Sequence, residues 1–537
     1  MILWVLIVNY FFCAQFVNGH LEPIGYGTPL PGKRAPSGSV WPKPLYRFST
    51  NPMKAFSVDT QAFEIILLEN NPTSSCTLLD FATNHYTNLI RNLNPKTGGD
   101  LSCLQIKIFG DCVQDEYPRF ENTTEENYQL IVTEGYPSPV AILNAYTPWG
   151  ALRGIETFYQ MIWSDESENE TFYVNQTDSL VDEPRFIYRG IMIDSARHYL
   201  PEQTILKILT AMMYNKFNVL HWHIVDDQSF AFVSQSFPEL SKMGAYTRKE
   251  IYTPEVIRRI QEAARVRGIR IIFEFDTPGH VAGFGKSHPE FLTPCYDEYQ
   301  SIGGINPRRA SAINFDPSNE DVFEFMEAFL QEVLSVSKDQ YLHLGFDEVF
   351  LPCWQTSPRI KAFMVERNYT STRQVLGYYI NRITEIVSSL GITPIAWQDP
   401  LTDGVELDKN TVIHFWMDKP GYPRYEEALK SGYKVLQSTC WYTNLIKYGP
   451  TWKDYYECDP VANAELVSYE SQILGGEATI WGEFVDQTNI ISRLFPASSA
   501  VAEVLWTSRN LKDKTDDAMW RLDQFRCNML RRDLDLN

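Results

Sequence analysis

The chain has 537 residues and a formal net charge of −20, which is too long for one ordinary core and suits two domains, one of them large enough for a barrel. That acidity argues against nucleic acid or an anionic membrane as the main partner, because phosphates repel it. Neither size nor composition indicates disorder.

Residues Ile2 to Val17 form an apolar run followed by Asn18-Gly19, shorter than the roughly 20 residues that a membrane helix needs. A secretory signal at 1–19 is the expectation, with no membrane span, although its start lacks Lys and Arg. Beyond it stand Cys76, Cys103, Cys112, Cys295, Cys353, Cys440, Cys458 and Cys527. None is spaced CxxC, which speaks against zinc, and a secretory route permits disulfides. Sequons at Asn122, Asn169, Asn175 and Asn368 would accept glycans there. A lysosomal or secreted protein follows.

From residue 20 to about 45 the chain is rich in Gly and Pro and lacks periodicity, predicting an extended or mobile arm. Between 46 and 180, strand patterns at Phe63 to Leu68, Leu104 to Ile108 and Tyr128 to Val132 join helical patterns at Thr77 to Leu93 and Gly150 to Ile162. They describe a compact α+β domain with no converging His, Cys or carboxylates, so its expected role is structural.

From 184 to 537 the pattern becomes strand, polar residues, amphipathic helix, repeated. Strands are expected at Gly190 to Asp194, Phe217 to Asp226, Ile269 to Phe275, Tyr341 to Phe346, Thr393 to Trp397, Thr411 to Trp416, Lys434 to Ser438 and Ile473 to Trp481. Helical stretches such as Pro201 to Asn215 and Thr253 to Arg267 separate them. The fold class is therefore α/β, a (β/α)8 TIM barrel preceded by the smaller α+β domain, with function at the C-terminal strand ends.

Those ends carry Arg197, Asp226, Asp276, His280, Asp347, Glu348, Trp397, Trp416, Trp441, Tyr442, Trp481 and Glu483. Several indoles with carboxylates and one Arg suit a sugar, whose apolar faces stack on rings while its hydroxyls bond to charged groups. In His343-Leu-Gly-Phe-Asp-Glu348 two carboxylates are adjacent. Strand alternation would send them to opposite faces, so they cannot flank a bond like an ordinary glycosidase pair. One could instead protonate a leaving group while the other holds the substrate's own nucleophile; helix capping is the competing reading. His221-Trp-His223 with Asp226 has metal-ligand spacing, but alternation would place Asp226 opposite the two histidines, so neither metal nor cofactor is expected.

Five ordered motifs, Arg189 to Pro201, His221 to Asp227, Glu274 to His280, His343 to Glu348 and Gly475 to Glu483, resemble the β-N-acetylhexosaminidases of glycoside hydrolase family twenty, over about residues 40 to 530. The resemblance implies an exo-acting enzyme that removes terminal β-linked GlcNAc or GalNAc from glycoconjugates or chitooligosaccharides with retention, the 2-acetamido group serving as nucleophile. It implies Glu348 as general acid, Asp347 as orienter of the acetamido group, Tyr442 as donor to its oxygen, and Asp226 with His280 behind the acid. Trp397, Trp416 and Trp481 would box the sugar, Arg197 and Glu483 would grip hydroxyls, and Asn444 lies beside Tyr442 where a sulfated or sialylated substrate is disfavoured by Leu445. It further implies disulfides Cys76–Cys112 and Cys295–Cys353 and a homodimer, leaving Cys103, Cys440, Cys458 and Cys527 unassigned. Phe346 stands where the family commonly has Gly. The alternative from another class is a catalytically silent sugar-binding protein on the same barrel.

Overall fold

The computed structural model describes residues 34–68, 76–93, 97–112, 116–118, 121–165, 170–293, 313–447 and 449–534. The expected signal, most of the arm, Asn169 and Cys295 lie outside the described residues.

Strands β1 (Tyr46–Phe48), β2 (Ala55–Ser57), β3 (Glu64–Leu67), β4 (Cys103–Ile108), β5 (Tyr128–Thr133), β6 (Val140–Ala145), β7 (Trp163–Ser164), β8 (Phe172–Asn175) and β9 (Thr177–Asp182) build the N-terminal part. Six pair in the order β1-β9-β5-β6-β4-β3, and β2-β8-β7 form a second small sheet. In β4, Leu104, Ile106 and Ile108 turn inward while Cys103, Gln105 and Lys107 do not, the period of two that a half-covered sheet requires. Helices α1 (Thr77–Arg91) and α2 (Pro148–Met161) pack together. Every residue of α2 is buried.

That burial fixes how the two parts meet. Arg153 of α2 ion-pairs with Glu126 at 2.9 Å and donates to the Phe217 and Gly268 carbonyls, which precede barrel strands. Glu126 also binds Arg189 at 2.7 Å, and Glu156 binds Arg532 at 2.8 Å. Buried charges persist only when paired in this way. The N-terminal part thus covers the bottom of the barrel and leaves the opposite mouth free. The arm reading needs correction over 34–45: Val40 and Trp41 are buried, the Trp41 indole N–H donating to Ser499 O at 2.8 Å and its backbone N–H to Gln160 at 2.7 Å. A large apolar ring between two cores outweighs the local Gly and Pro content.

The barrel strands are β10 (Tyr188–Asp194), β11 (Val219–Val225), β12 (Arg270–Thr277), β13 (Tyr341–Gly345), β14 (Thr393–Trp397), β15 (Val412–Phe415), β16 (Val435–Gln437) and β17 (Ile473–Ile480). They pair in parallel and close β17 onto β10. Outer helices include α3 (Glu202–Tyr214), α4 (Pro254–Arg265), α5 (Glu320–Val336) and α6 (Thr372–Ser389). The start of α4 shows how the sequence sets a boundary: the Thr253 hydroxyl accepts from Val256 N–H and Pro254 occupies the first turn, where a missing N–H costs nothing. Its Ile257, Ile260 and Ala264 then face the strands.

Near the strand starts Val219, Ile272, Ile395, Val412, Leu436 and Leu474 form an apolar plug. Above it the interior becomes polar. Glu274 accepts from His223 Nδ1 at 2.6 Å and from the Trp397 indole N–H at 2.8 Å, and Glu477 accepts from Tyr188 OH at 2.7 Å and His221 Nδ1 at 2.7 Å. His221 Nε2 faces Glu274 at 3.0 Å. Both histidines expected on one barrel face are therefore held between carboxylates.

Candidate active site

Strand β13 stops at Gly345, where a left-handed backbone, φ 72°, begins a turn that brings the acid pair into the mouth. A Cβ on Gly345 would lie 1.7 Å from Asp276 Oδ1, so only glycine fits. Phe346 follows at φ 75° and Glu348 at φ 50°, conformations that cost L-residues about 1–2 kcal/mol each. Phe346 is anchored by donating its N–H to Asp276 Oδ1 at 3.1 Å and by burying its ring edge-on to Tyr379 of α6. The bulky ring therefore points into the core, away from the mouth.

The turn corrects the alternation argument for the acids. Asp347 and Glu348 lie beyond the strand, and both approach one atom, His280 Nε2, at 3.9 Å and 3.6 Å. Asp347 is buried, whereas the Glu348 side chain is 53% exposed. Asp226 departs from expectation for the same reason: β11 ends at Val225, after an irregularity in its pairing with β12, and Asp226 turns back to His223 Nε2 at 2.8 Å.

A chain of alternating charge results. Glu274 holds His223, His223 holds Asp226, Asp226 accepts from His280 Nδ1 at 3.2 Å, and His280 faces Glu348. Burial opposes every charge here. For His223 the flanking carboxylates overcome it and raise the imidazole to about 10, and His280 is also raised, by Asp226 above all. Asp226 is held well below the carboxylate range against burial by Arg197 and His280. Asp276 is driven well up by burial and then by Asp347, and burial raises Asp347 as well. Asp276 and Asp347 both face His280 Nε2 at 3.9 Å, and of the two carboxyls Asp276 is the more strongly raised. Glu348 is lowered, chiefly by His280, whose Nε2 faces it at 3.6 Å. In the free protein this contact outweighs the Asp347 repulsion expected from the sequence.

Around this chain stand the aromatic residues. Trp397 ends β14, stacks on His414 at 4.2 Å and lies 6.2 Å from Trp481. Trp481 follows β17 with the Arg197 guanidinium 4.9 Å over its ring. Arg197 is fixed by Asp194 at 3.0 Å and Asp226 at 2.8 Å, and it feels the charge of exposed Glu483. Tyr442 pairs with Thr479 beside β17, and burial raises its phenol well above its ordinary value, keeping it a neutral donor. Asn444 turns a buried Oδ1 without a partner. Trp441 is different: fully buried, it donates to Tyr455 O at 3.0 Å and supports the loop from below.

Sequence reasoning missed several supports. Asp194 accepts the N–H groups of Ala196, Arg197 and Gly482, tying the first strand end to the last. Asp399, two residues past Trp397, accepts from the Trp416 indole at 2.7 Å and from Glu348 N–H at 3.2 Å. Reading two residues beyond each strand would have found it. Cys440 and Cys458, left unassigned, form a disulfide beside Tyr442. Cys76–Cys112 forms as expected, and Cys353 is disulfide-bonded with its expected partner outside the described residues. Cys103 and Cys527 are free. Among the described residues no helix is long and apolar enough to cross a membrane.

Residues 186–509 match the model of the glycosyl hydrolase family 20 catalytic domain, and residues 40–161 match a beta-acetyl hexosaminidase like domain. The chain is 38% identical to the beta-hexosaminidase subunit beta of Homo sapiens over 512 residues, 93% of this chain and 88% of that one. It is 42% identical to the subunit alpha of Rattus norvegicus over 422 residues, 78% of this chain and 77% of that one. The solved chitobiase of Flavobacterium johnsoniae superposes with a TM-score of 0.77 at 25% identity, covering 92% of this chain and 73% of that one. With a closed parallel barrel whose mouth carries an acid pair, a cationic imidazole and three indoles, the chain belongs to glycosyl hydrolase family 20 and is a glycoside hydrolase, a β-N-acetylhexosaminidase.

Proposed function

We propose that the enzyme removes a terminal, non-reducing β-linked GlcNAc or GalNAc by a retaining mechanism in which the substrate's acetamido group is the nucleophile. The observation that carries this reading is the convergence of Asp347 and Glu348 on one side of His280. Carboxylates that act as acid and nucleophile must stand on opposite sides of the scissile bond. Here Asp347 is buried and, with Asp276, faces His280 Nε2, which suits it to orienting a group rather than attacking carbon.

In the first step the acetamido oxygen bonds to the anomeric carbon as the glycosidic C–O bond breaks, and Glu348 gives its proton to the departing oxygen. Asp347 accepts the acetamido N–H and offsets the positive oxazolinium, while the Tyr442 phenol donates to the acetamido oxygen. In the second step water adds to the anomeric carbon, the ring C–O bond opens, and Glu348 recovers a proton. The proton for the first step is already held by the His280–Glu348 pair. A sugar that displaces water lowers the local polarity, which favours the neutral pair over the ionic one and moves that proton onto Glu348. Asp226 fixes the opposite ring nitrogen and with it the orientation of His280.

Trp397, Trp416 and Trp481 enclose the sugar, Arg197 and Glu483 take its hydroxyls, and Asn444 adds an acceptor. An enclosed pocket selects a chain end, and Leu445 at its rim offers no charge for an anionic sugar. The parts 46–180 and 184–537 act as supporting and catalytic units, in a homodimer that is lysosomal or secreted, with glycans at Asn122, Asn169, Asn175 and Asn368. The test is hydrolysis of a chromogenic β-GlcNAc glycoside at acid pH beside Glu348→Gln. Activity in the parent that the variant loses supports the reading; GlcNAc binding without hydrolysis in the parent sinks it in favour of a sugar-binding protein.

A further inference from the structure

Three loops that follow consecutive barrel strands meet at one dipeptide. Gln398 is buried, and its Oε1 accepts the backbone N–H groups of Trp416, Met417 and Asp418 at 3.1, 2.9 and 3.1 Å, while its Nε2 donates to Asp418 Oδ2 at 2.7 Å. Next to it, Asp399 divides its two oxygens between different loops: Oδ2 accepts the Trp416 indole N–H at 2.7 Å and Oδ1 the Glu348 backbone N–H at 3.2 Å. Gln398 thus fixes where the loop after β15 runs. Asp399 fixes the rotation of its indole and, with the same planar group, the backbone that carries the acid.

We propose that Asp399 is a positioning residue that couples the general acid to the Trp416 wall of the sugar pocket, so that the leaving-group oxygen and the sugar ring are registered against one rigid carboxylate. This rests on the hydrolytic reading given above. The geometry makes the coupling necessary. Glu348 sits in a left-handed turn with a half-exposed side chain, so little packing holds it, and a misplacement of about 1 Å costs on the order of a hundredfold in rate. Trp416 is only partly buried as well. Each of the two part-exposed groups is steadied by the same partner. Asp399 carries a further charge effect: burial and then the neighbouring Asp347 push it up to about 7, so at acid pH it is neutral and adds no negative charge beside the acid pair.

The test compares two substrates that share the GlcNAc ring and differ in leaving group, a β-linked chitobiose and a dinitrophenyl β-GlcNAc glycoside, whose aglycone departs without a proton. Asp399→Ala is expected to lower kcat on chitobiose by about 10- to 100-fold, reaching at most the lower end of a general acid's whole contribution, while leaving kcat on the dinitrophenyl glycoside within about threefold. KM should rise by the same factor for both substrates. Trp416→Phe, which keeps a ring and lacks the N–H, should reproduce the shared KM rise without the leaving-group-selective loss. Asp399→Glu should recover part of the chitobiose rate. An equal fall in kcat on both substrates, with no recovery in Asp399→Glu, would overturn the coupling. Should Asp399→Ala not fold, Asp399→Asn carries the same comparison, since its amide keeps one oxygen and so cannot serve both loops. A parent enzyme inactive on both substrates would instead overturn the hydrolytic reading.

Discussion

His280 Nε2 stands 3.6 Å from Glu348 Oε2, and the imidazole is held cationic by Asp226 on its other nitrogen. On the proposed mechanism the free enzyme therefore stores the proton of the first step in an ion pair rather than on the carboxyl alone.

Rate should follow that store. kcat/KM is expected to rise with pH as Asp347 ionises, above the usual aspartate range because burial raises it, and to fall once the His280–Glu348 pair loses its proton. In His280→Asn the acid loses the partner that lowers it, and the descending limb should collapse toward an ordinary glutamate, near pH 4.3. An unchanged descending limb in the pH profile would show that His280 does not hold the proton.

Asp347→Asn and Glu348→Gln should fail differently. Loss of Glu348 is expected to reduce kcat about 10²- to 10⁴-fold for poor leaving groups and far less for dinitrophenyl. Loss of Asp347 should depress both substrates alike, since the acetamido group must attack as either aglycone departs. Steady-state kinetics on the two glycosides separates them.

Folding stability should peak in mild acid. His221 and His223 are raised to about 9 and 10, their flanking carboxylates overcoming burial; their contribution is whole below the unfolded value of about 6.5 and is lost as pH climbs through the folded values. Asp227, raised to about 7 by burial and then Asp226, adds stability at low pH that is gone by neutrality. Asp226, Glu274 and Glu477 are lowered, by Arg197, His343 and His221 respectively acting against burial, so their contribution is present above the unfolded carboxylate values and fails as pH falls further. Scanning calorimetry should place the highest Tm between about pH 4.5 and 6.5. A maximum at pH 8 would contradict the charged barrel interior.

Phe346 offers a test of backbone strain against packing. Phe346→Ala should cost about 3–5 kcal/mol through the lost contact with Tyr379 and the space left behind. Phe346→Gly removes one more carbon yet relieves the left-handed φ, so it should be more stable than the alanine variant by about 1 kcal/mol. Chemical denaturation of the two variants side by side gives the order.

The Cys440–Cys458 bridge closes a span of 18 residues around Tyr442, a loop length worth about 3 kcal/mol in the chain-entropy account. Cys458→Ser should shorten the thermal inactivation half-life and raise KM more than it lowers kcat, because the tyrosine loop loosens while the acid is untouched.

The sequence by itself determined the barrel, its eight strands and the residues at their ends, because hydrophobic periodicity is a local property that survives without neighbours. All eight strands lie within two residues of where the pattern places them, and Arg197, Asp226, His280, Asp347, Glu348 and Tyr442 do gather at one mouth. Only the tertiary structure decided how they face one another. Alternation holds inside a strand and lapses one residue beyond it, which is why Asp226 returns to His223 and both acids turn to His280. The burial of Trp41, the Cys440–Cys458 pairing, the charged interior around Glu274 and the double role of Asp399 each depend on partners far away in sequence or on an adjoining loop. Closure of the sheet supplies those partners, and no local pattern encodes it.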